Sequence, residues 1–247
     1  LISIMETGAD LRGRRWDALR EAASAMRVVM VPLAQPDGRI RIGIRNLLGG
    51  TVEDLYYYGQ GVRKNGEILW WPECFRTQPL PLEEMSSIGG YYNDAGVNLG
   101  SDRFFAADMA PETRALFDLV ADETPDCTIL LHSCEEGPFF TGPDSCIPLA
   151  YQYRQTAIAA IVGERHRRDG LKPELDRVIK TGPRSSFNLQ AALYTISGTL
   201  PLLLEFPHGL EQKPFTFDEI LDVGLTMFEE VMRFGLTYGF RPPDHLT

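Results

Sequence analysis

The sequence holds no apolar stretch approaching the roughly 18 residues that suggest a membrane-spanning helix, so no span is expected. Cysteine is scarce: four in 247 residues, at positions 74, 127, 134 and 146, with no Cys-x-x-Cys spacing. That is too few for a disulfide framework and lacks the spacing of a cysteine zinc site or a dithiol redox motif. Cys127 sits inside an apolar run and is expected to be an inert core residue, whereas Cys134 lies close to candidate site residues and is a candidate reactive thiol. Positive charge is in deficit too. Twenty-four Lys and Arg against 34 Asp and Glu leave a formal net charge of −10. This argues against general nucleic-acid binding, which draws most of its affinity from Lys and Arg neutralising phosphates. Local basic clusters exist, notably Arg165-His166-Arg167-Arg168, which is flanked by Glu164 and Asp169 and fits a solvated helix end. No internal repeat and no low-complexity segment stands out.

What is present suits a folded enzyme-sized domain. Hydrophobic residues make up 44% of the chain, enough at this length for one substantial core, and one large α/β domain fits better than two small ones. Apolar positions at helical spacing predict helices over residues 9 to 26, 149 to 165 and 217 to 234. Pro111 is expected to open another helix, with Glu112 near its positive end and Pro125 beyond its close. Val28 to Val31 is predicted as a strand. Alternation from Arg39 to Arg45 is compatible with the solvent face of another. Helices alternating with apolar strands imply a mostly parallel, mixed sheet with helices on both faces.

Two apolar runs each end in a residue capable of chemistry. Cys127-Thr128-Ile129-Leu130-Leu131 delivers His132, and Leu200-Pro201-Leu202-Leu203-Leu204 delivers Glu205, 73 residues later. Short continuous apolar runs read as buried strands, and in open α/β sheets the ligand crevice lies at the carboxyl ends of such strands. A histidine and a glutamate so placed suggest a metal ligand and a general base. A glutamate ending a run of leucines needs a strong compensating partner.

The order of the surrounding segments sharpens this. Arg27-Val28-Val29-Met30-Val31-Pro32 leads into Gln35-Pro36-Asp37-Gly38; then come Gly96-Val97-Asn98-Leu99, Pro111-Glu112-Thr113-Arg114-Ala115, Leu131-His132-Ser133 and Glu205. Together they resemble the zinc carboxypeptidase family, the M14 peptidases. Members carry a strand into Asn-Pro-Asp-Gly, a Gly-Val-Asp-Leu-Asn-Arg segment, Pro-Glu-Thr before a helix, the last zinc-ligand histidine and a catalytic glutamate. The resemblance implies a carboxypeptidase-like fold in a single domain, zinc as cofactor, His132 as third zinc ligand and Glu205 as base. It also implies that the first two ligands, a His-x-x-Glu motif, fall a few residues before Leu1, so that residues 1–247 would be an N-terminally incomplete catalytic domain. His132-Ser133-Cys134-Glu135 spells the same motif by itself, with His208 as a possible third ligand; that alternative requires the upstream matches to be accidents.

Arg45 is the candidate for stabilising a developing oxyanion, since it follows Pro-Asp-Gly in the context Arg-Asn, with Arg39 and Arg41 competing. Substrate contacts are expected from Asn98, Gly100, Ser101, Phe187 and Tyr194. Here the chain departs from the family. Asn98-Leu99-Gly100-Ser101 stands where Asp-Leu-Asn-Arg would grip a C-terminal carboxylate, and an uncharged Gly-Ser pair cannot replace a bidentate arginine. Asp102 and Arg103 are partial substitutes. Neither Phe187 nor Tyr194 clearly matches the family's mobile-loop tyrosine. Residues 47 to 93, rich in aromatics, are expected to be a loop-rich insertion with a hairpin around Lys64-Asn65-Gly66. The functional expectation is a zinc-dependent hydrolase of amide bonds, carboxypeptidase or deacylase, acting on a peptide or an acylated small molecule. The alternative is a non-catalytic peptide- or glycan-binding domain on the same fold. The compartment, cytoplasmic or secreted, is open.

Overall fold

The structure, a computed structural model, describes residues 1–42, 47–174 and 187–243. In chain order its elements are α1 (Ile2–Thr7), α2 (Asp17–Ser24), α3 (Pro36–Ile42), α4 (Val52–Gly59), β1 (Gly61–Arg63), α5 (Glu73–Arg76), β2 (Met85–Ile88), α6 (Pro111–Glu123), β3 (Cys127–Cys134), β4 (Phe139–Phe140), α7 (Leu149–Arg168), α8 (Leu189–Ser197), β5 (Leu200–Pro207) and α9 (Phe217–Tyr238). Among the described residues no helix is long and apolar enough to cross a membrane.

The two apolar runs become the parallel pair β3 and β5, with Cys127 opposite Leu200 and His132 opposite Glu205. The short β4 lies antiparallel on the far side of β5, so the sheet, in order β3-β5-β4, is mixed. Strand alternation sorts the side chains. Leu200, Leu202 and Leu204 pack with Ile158 and Val162 of α7 and with Val223, Met227 and Val231 of α9. On the other face Leu130 packs with Phe117 and Val120 of α6 and Leu193 of α8. Helices therefore cover both faces, the mixed α/β arrangement expected. Leu200, Leu202 and Leu204 are almost wholly buried, and each contributes about 2 kcal/mol from removal of apolar surface from water.

The helix signals hold where local and tertiary forces agree. α6 starts with Pro111 in its first turn and stops at Thr124, whose φ of 41° ends the helical path before Pro125. α9 begins at a capping box between Thr216 and Glu219, two orphan backbone donors being satisfied reciprocally. α7 and α9 run three and four residues past their expected ends.

Three expectations need correction. Residues 9 to 26 do not form one helix: α2 covers Asp17–Ser24, and the preceding turn is held by Asp10, which accepts hydrogen bonds from the backbone of Arg12 and Arg14, with Gly13 at φ 83°. Side-chain capture of the backbone outcompetes the helix there. Val28 to Val31 is not a strand. Val29, Met30 and Val31 are exposed, and among the described residues the outer edge of β3 has no strand partner either; a strand without a neighbour has no ladder to hold it. Arg39 and Arg41 lie on helix α3, not on a strand. Gly38 in this helix approaches the Gly90 carbonyl so closely that an added Cβ would sit 2.0 Å from its oxygen. Residues 47 to 93 are loop-rich as expected, with short elements between the loops. Tyr56 to Tyr58 lie in α4, started by a capping box of Thr51 and Asp54. The hairpin at Lys64 to Gly66 is present, with Arg63 N–H donating to the Glu67 carbonyl and Val62 bridging Ile68. β1 pairs antiparallel with β2, and Leu69, Cys74, Leu80, Met85 and Tyr92 form a small core of their own.

Candidate functional site

Parallel register brings His132 and Glu205 side by side, two residues before the ends of β3 and β5. Both share the strand phase of Leu130 and Leu203, the α6 and α8 side of the sheet. His132 Nδ1 lies 3.0 Å from Glu205 Oε2, the histidine side chain 45% exposed and the glutamate 14%. Glu205 ends its leucine run with this imidazole as partner, which offsets the cost of placing a carboxylate there. The Tyr91 ring lies 5.2 Å from the His132 ring, and its hydroxyl donates to the Ser133 carbonyl at 3.4 Å. Burial, and then the charge of Glu205, push the Tyr91 phenol up, so it stays protonated.

The pair opens on a cleft of about 1860 Å³ running along the outer edge of β3. Val28 to Pro32 border one side, and Tyr56, Trp71, Phe75, Tyr91, Asn98 and Gly100 also line it. The volume exceeds the roughly 300–1,000 Å³ of a typical small-molecule pocket.

Of the expected site residues, His132, Glu205, Asn98 and Gly100 line this one cleft. Asn98 is tied locally, its side-chain oxygen accepting from Gly100 N–H to start the short turn Leu99–Ser101. Ser101 is not on the cleft wall, and its hydroxyl is buried without a hydrogen-bond partner among the described residues. Phe187 packs on Phe104 and Phe105. Tyr194 sits edge-on to Tyr151 at 5.0 Å, against the core on the α7 side. The structure brings neither to the cleft. Arg45 lies outside the described residues. Arg41, its competitor, donates to the carbonyls of Gly89 and Tyr92 and pairs with Asp94; Arg39 is exposed on α3. Asp102 accepts from the backbone of Arg103 and Ala110, and Arg103 pairs with Asp108, so neither faces the cleft.

The reactive-thiol expectation for Cys134 is corrected. Burial, then the charge of Glu205, push its pKa up to about 12, although the N–H groups of Glu136 and Gly137 point at its sulfur. At neutral pH it is a thiol, not a nucleophilic thiolate. Cys127 is raised further still by burial and fits the inert core role.

His208 is a candidate from sequence only as a possible third ligand. Burial, then His132, lower its pKa to about 4 against the opposing influence of Glu205. Its Nε2 is buried with no hydrogen-bond partner among the described residues. Among those residues no three His, Cys, Asp or Glu side chains gather into a group that could hold a metal, so His132, Glu135 and His208 do not form a ligand set. The imidazole of His132, facing an open cleft, has the chemistry of a zinc ligand. Tyr91 carried no local sequence signal, because its neighbours in the site are more than 40 positions away. No protein-family model matches the chain, and no curated protein and no solved structure is significantly similar to it.

Proposed function

We propose that the chain is catalytic and belongs to a zinc-dependent hydrolase of amide bonds, carboxypeptidase-like in its reacting groups, acting on a peptide or an acylated amine. The observation carrying this reading is the imidazole and carboxylate 3.0 Å apart near the carboxyl ends of adjacent parallel strands, opening on a large cleft. Ligands favour that position in α/β sheets. Zinc, when bound, would lower the pKa of a bound water and polarise the scissile carbonyl.

The chain's own residues supply the rest. Glu205 takes a proton from the attacking water and passes it to the leaving amine. His132 contributes one ligand nitrogen and borders the carboxylate. Tyr91, protonated and packed on His132, restricts the ring's orientation. Arg45 is the proposed partner for the developing oxyanion. Asn98 and Gly100 bring no positive charge to the cleft, which favours a substrate that needs no free C-terminal carboxylate over a strict carboxypeptidase substrate.

Metal analysis of the natural full-length protein tests this directly, combined with hydrolysis of a panel of N-acyl amino acids and blocked peptides. About one zinc per chain, with hydrolysis abolished by chelation and restored by zinc, is the expected result. Metal-free protein that hydrolyses nothing and still binds peptides or glycans would replace this reading with the binding-domain one.

A further inference from the structure

The cleft beside His132 and Glu205 is lined by aromatic and acidic side chains, and among the described residues its lining holds no lysine. Two arginines line the cleft among the described residues, Arg27 and Arg241. Each is already paired, Arg27 with both oxygens of Glu123 and Arg241 with Asp126, carboxylates that line the cleft beside the start of β3. Glu135, three residues beyond His132, also lines the cleft; it is partly buried and makes no hydrogen bond or ion pair among the described residues. Its oxygens are thus available to a charged group entering the cleft. Tyr56 and Trp71 line the same cleft. Tyr56 is braced against Trp70 with ring centroids 4.8 Å apart, and Trp71 against Phe75 at 5.5 Å, leaving Trp71 59% exposed. Glu135 lies near enough to Tyr56 that, after burial, its charge is the largest contribution raising the phenol's pKa, to about 12.

We propose that this end of the cleft is a cation subsite, in which Glu135 and the ring faces of Tyr56 and Trp71 hold the ammonium or guanidinium of a lysine- or arginine-like side chain in the substrate. This rests on the cleft being the substrate site of the proposed hydrolase. A cation over an aromatic face gains from the ring quadrupole, more so when partly desolvated, and an opposing carboxylate adds a charge-assisted hydrogen bond. The same field disfavours acidic substrates, in keeping with the uncharged Gly100 at the cleft.

Calorimetric binding of two blocked tripeptides to the full-length protein, identical except for lysine or norleucine at the centre, tests the subsite without requiring turnover. The expected result is at least tenfold tighter binding of the lysine peptide, weakening with added salt. Glu135→Gln should equalise the two peptides, and Trp71→Leu should reduce the preference, with melting temperatures confirming that both variants are folded. Equal affinities in the wild-type protein, a preference that survives Glu135→Gln, or no binding of either peptide at millimolar concentration would overturn the proposal. Lysine-selective binding by a protein that hydrolyses nothing would overturn the hydrolase reading and leave the subsite standing. Hydrolysis indifferent to charge would do the reverse.

Discussion

His132 and Glu205 are register partners across two parallel strands, and their side chains meet at 3.0 Å on the face that opens to the cleft. Neither residue is near the other in sequence, so the contact exists only because two apolar runs pair in this register. A one-residue slip would send one of the side chains to the opposite face.

From that contact come distinct outcomes for two substitutions. Glu205→Gln keeps the shape and removes the base, so zinc content should be unchanged while hydrolysis falls by about 10²-fold or more. His132→Ala should lose metal and activity together. Metal analysis alongside kinetics separates them; loss of zinc in both variants would make Glu205 a ligand or a structural group.

The two central strands are legible because each is a continuous apolar run, with His132 and Glu205 in equivalent places at the ends; burial, however, follows the expectation only in β5, whereas β3 is partly open along its outer edge, with Leu131 55% exposed. α6, α7 and α9 were legible because periodicity coincides with burial against the sheet. Residues 9 to 16 were misread because a single carboxylate, Asp10, gathers the backbone and side-chain donors around it, which no periodicity announces. Val28 to Val31 was misread because a strand depends on its neighbour, and sequence shows only half of that pair. Tyr91 needs the folded chain to bring it beside the pair, while Tyr194, matched by position alone, packs on Tyr151 instead.

Asp10 itself anchors the N-terminal layer to α9. Its side chain is 4% exposed and accepts from the Arg12 guanidinium, the Trp16 indole and two backbone N–H groups, while Arg12 bridges on to Asp222. Burial opposes its ionisation, but these hydrogen bonds hold the carboxyl well below its ordinary value of 3.8. Its contribution is therefore complete above that value and is lost only as pH falls toward the lowered folded value. Asp10→Ala leaves Arg12 and Trp16 short of an acceptor and should cost about 3 kcal/mol, the scale of breaking a buried pair. Urea denaturation at pH 7 measures it, and a loss below 1 kcal/mol would show that the network is not an anchor.

A second pH dependence runs at milder acidity. His166 on α7 is 1% exposed, its Nε2 lies 3.0 Å from the Val223 carbonyl, and burial holds its pKa below 6.5. Between the folded value and 6.5 the unfolded chain binds more protons, so stability falls as pH drops through 6.5, by at most about 1.4 kcal/mol per pH unit for this residue. His166→Gln should flatten the melting-temperature profile between pH 7.5 and 5 without abolishing it, because His208 contributes with the same sign. An unchanged slope in the variant would show that His166 is protonated to the same degree in both states.

Thiol labelling should distinguish the four cysteines by access. Cys146 is exposed, whereas Cys74 is buried and burial pushes its pKa up to about 11. Cys127 and Cys134 are raised by burial as well. Iodoacetamide at pH 8 is expected to modify Cys146 first and leave Cys134 unmodified until denaturant is added. Mass spectrometry of the peptides reads this out, and early labelling of Cys134 would restore it as a reactive group beside the site.

Trp71 decides what the aromatic segment does. The small core of that segment is made by Leu69, Cys74, Leu80, Met85 and Tyr92, and Trp71 is not part of it. It stands 59% exposed at the cleft, touching Phe75. An exposed indole offers a large contact surface with few rotors to freeze, which is useful to a substrate and adds little to the fold. Trp71→Ala should therefore cost less than about 1 kcal/mol in stability, as surface substitutions do, while kcat/KM falls about tenfold, or 1.4 kcal/mol of lost transition-state stabilisation. Leu69→Ala supplies the contrast, with an expected cost of about 2–5 kcal/mol for emptying a core position. If Trp71→Ala instead lowered the melting temperature as far as Leu69→Ala and left kcat/KM intact, the tryptophan would be an anchor of the segment and the substrate would have to be oriented by other groups.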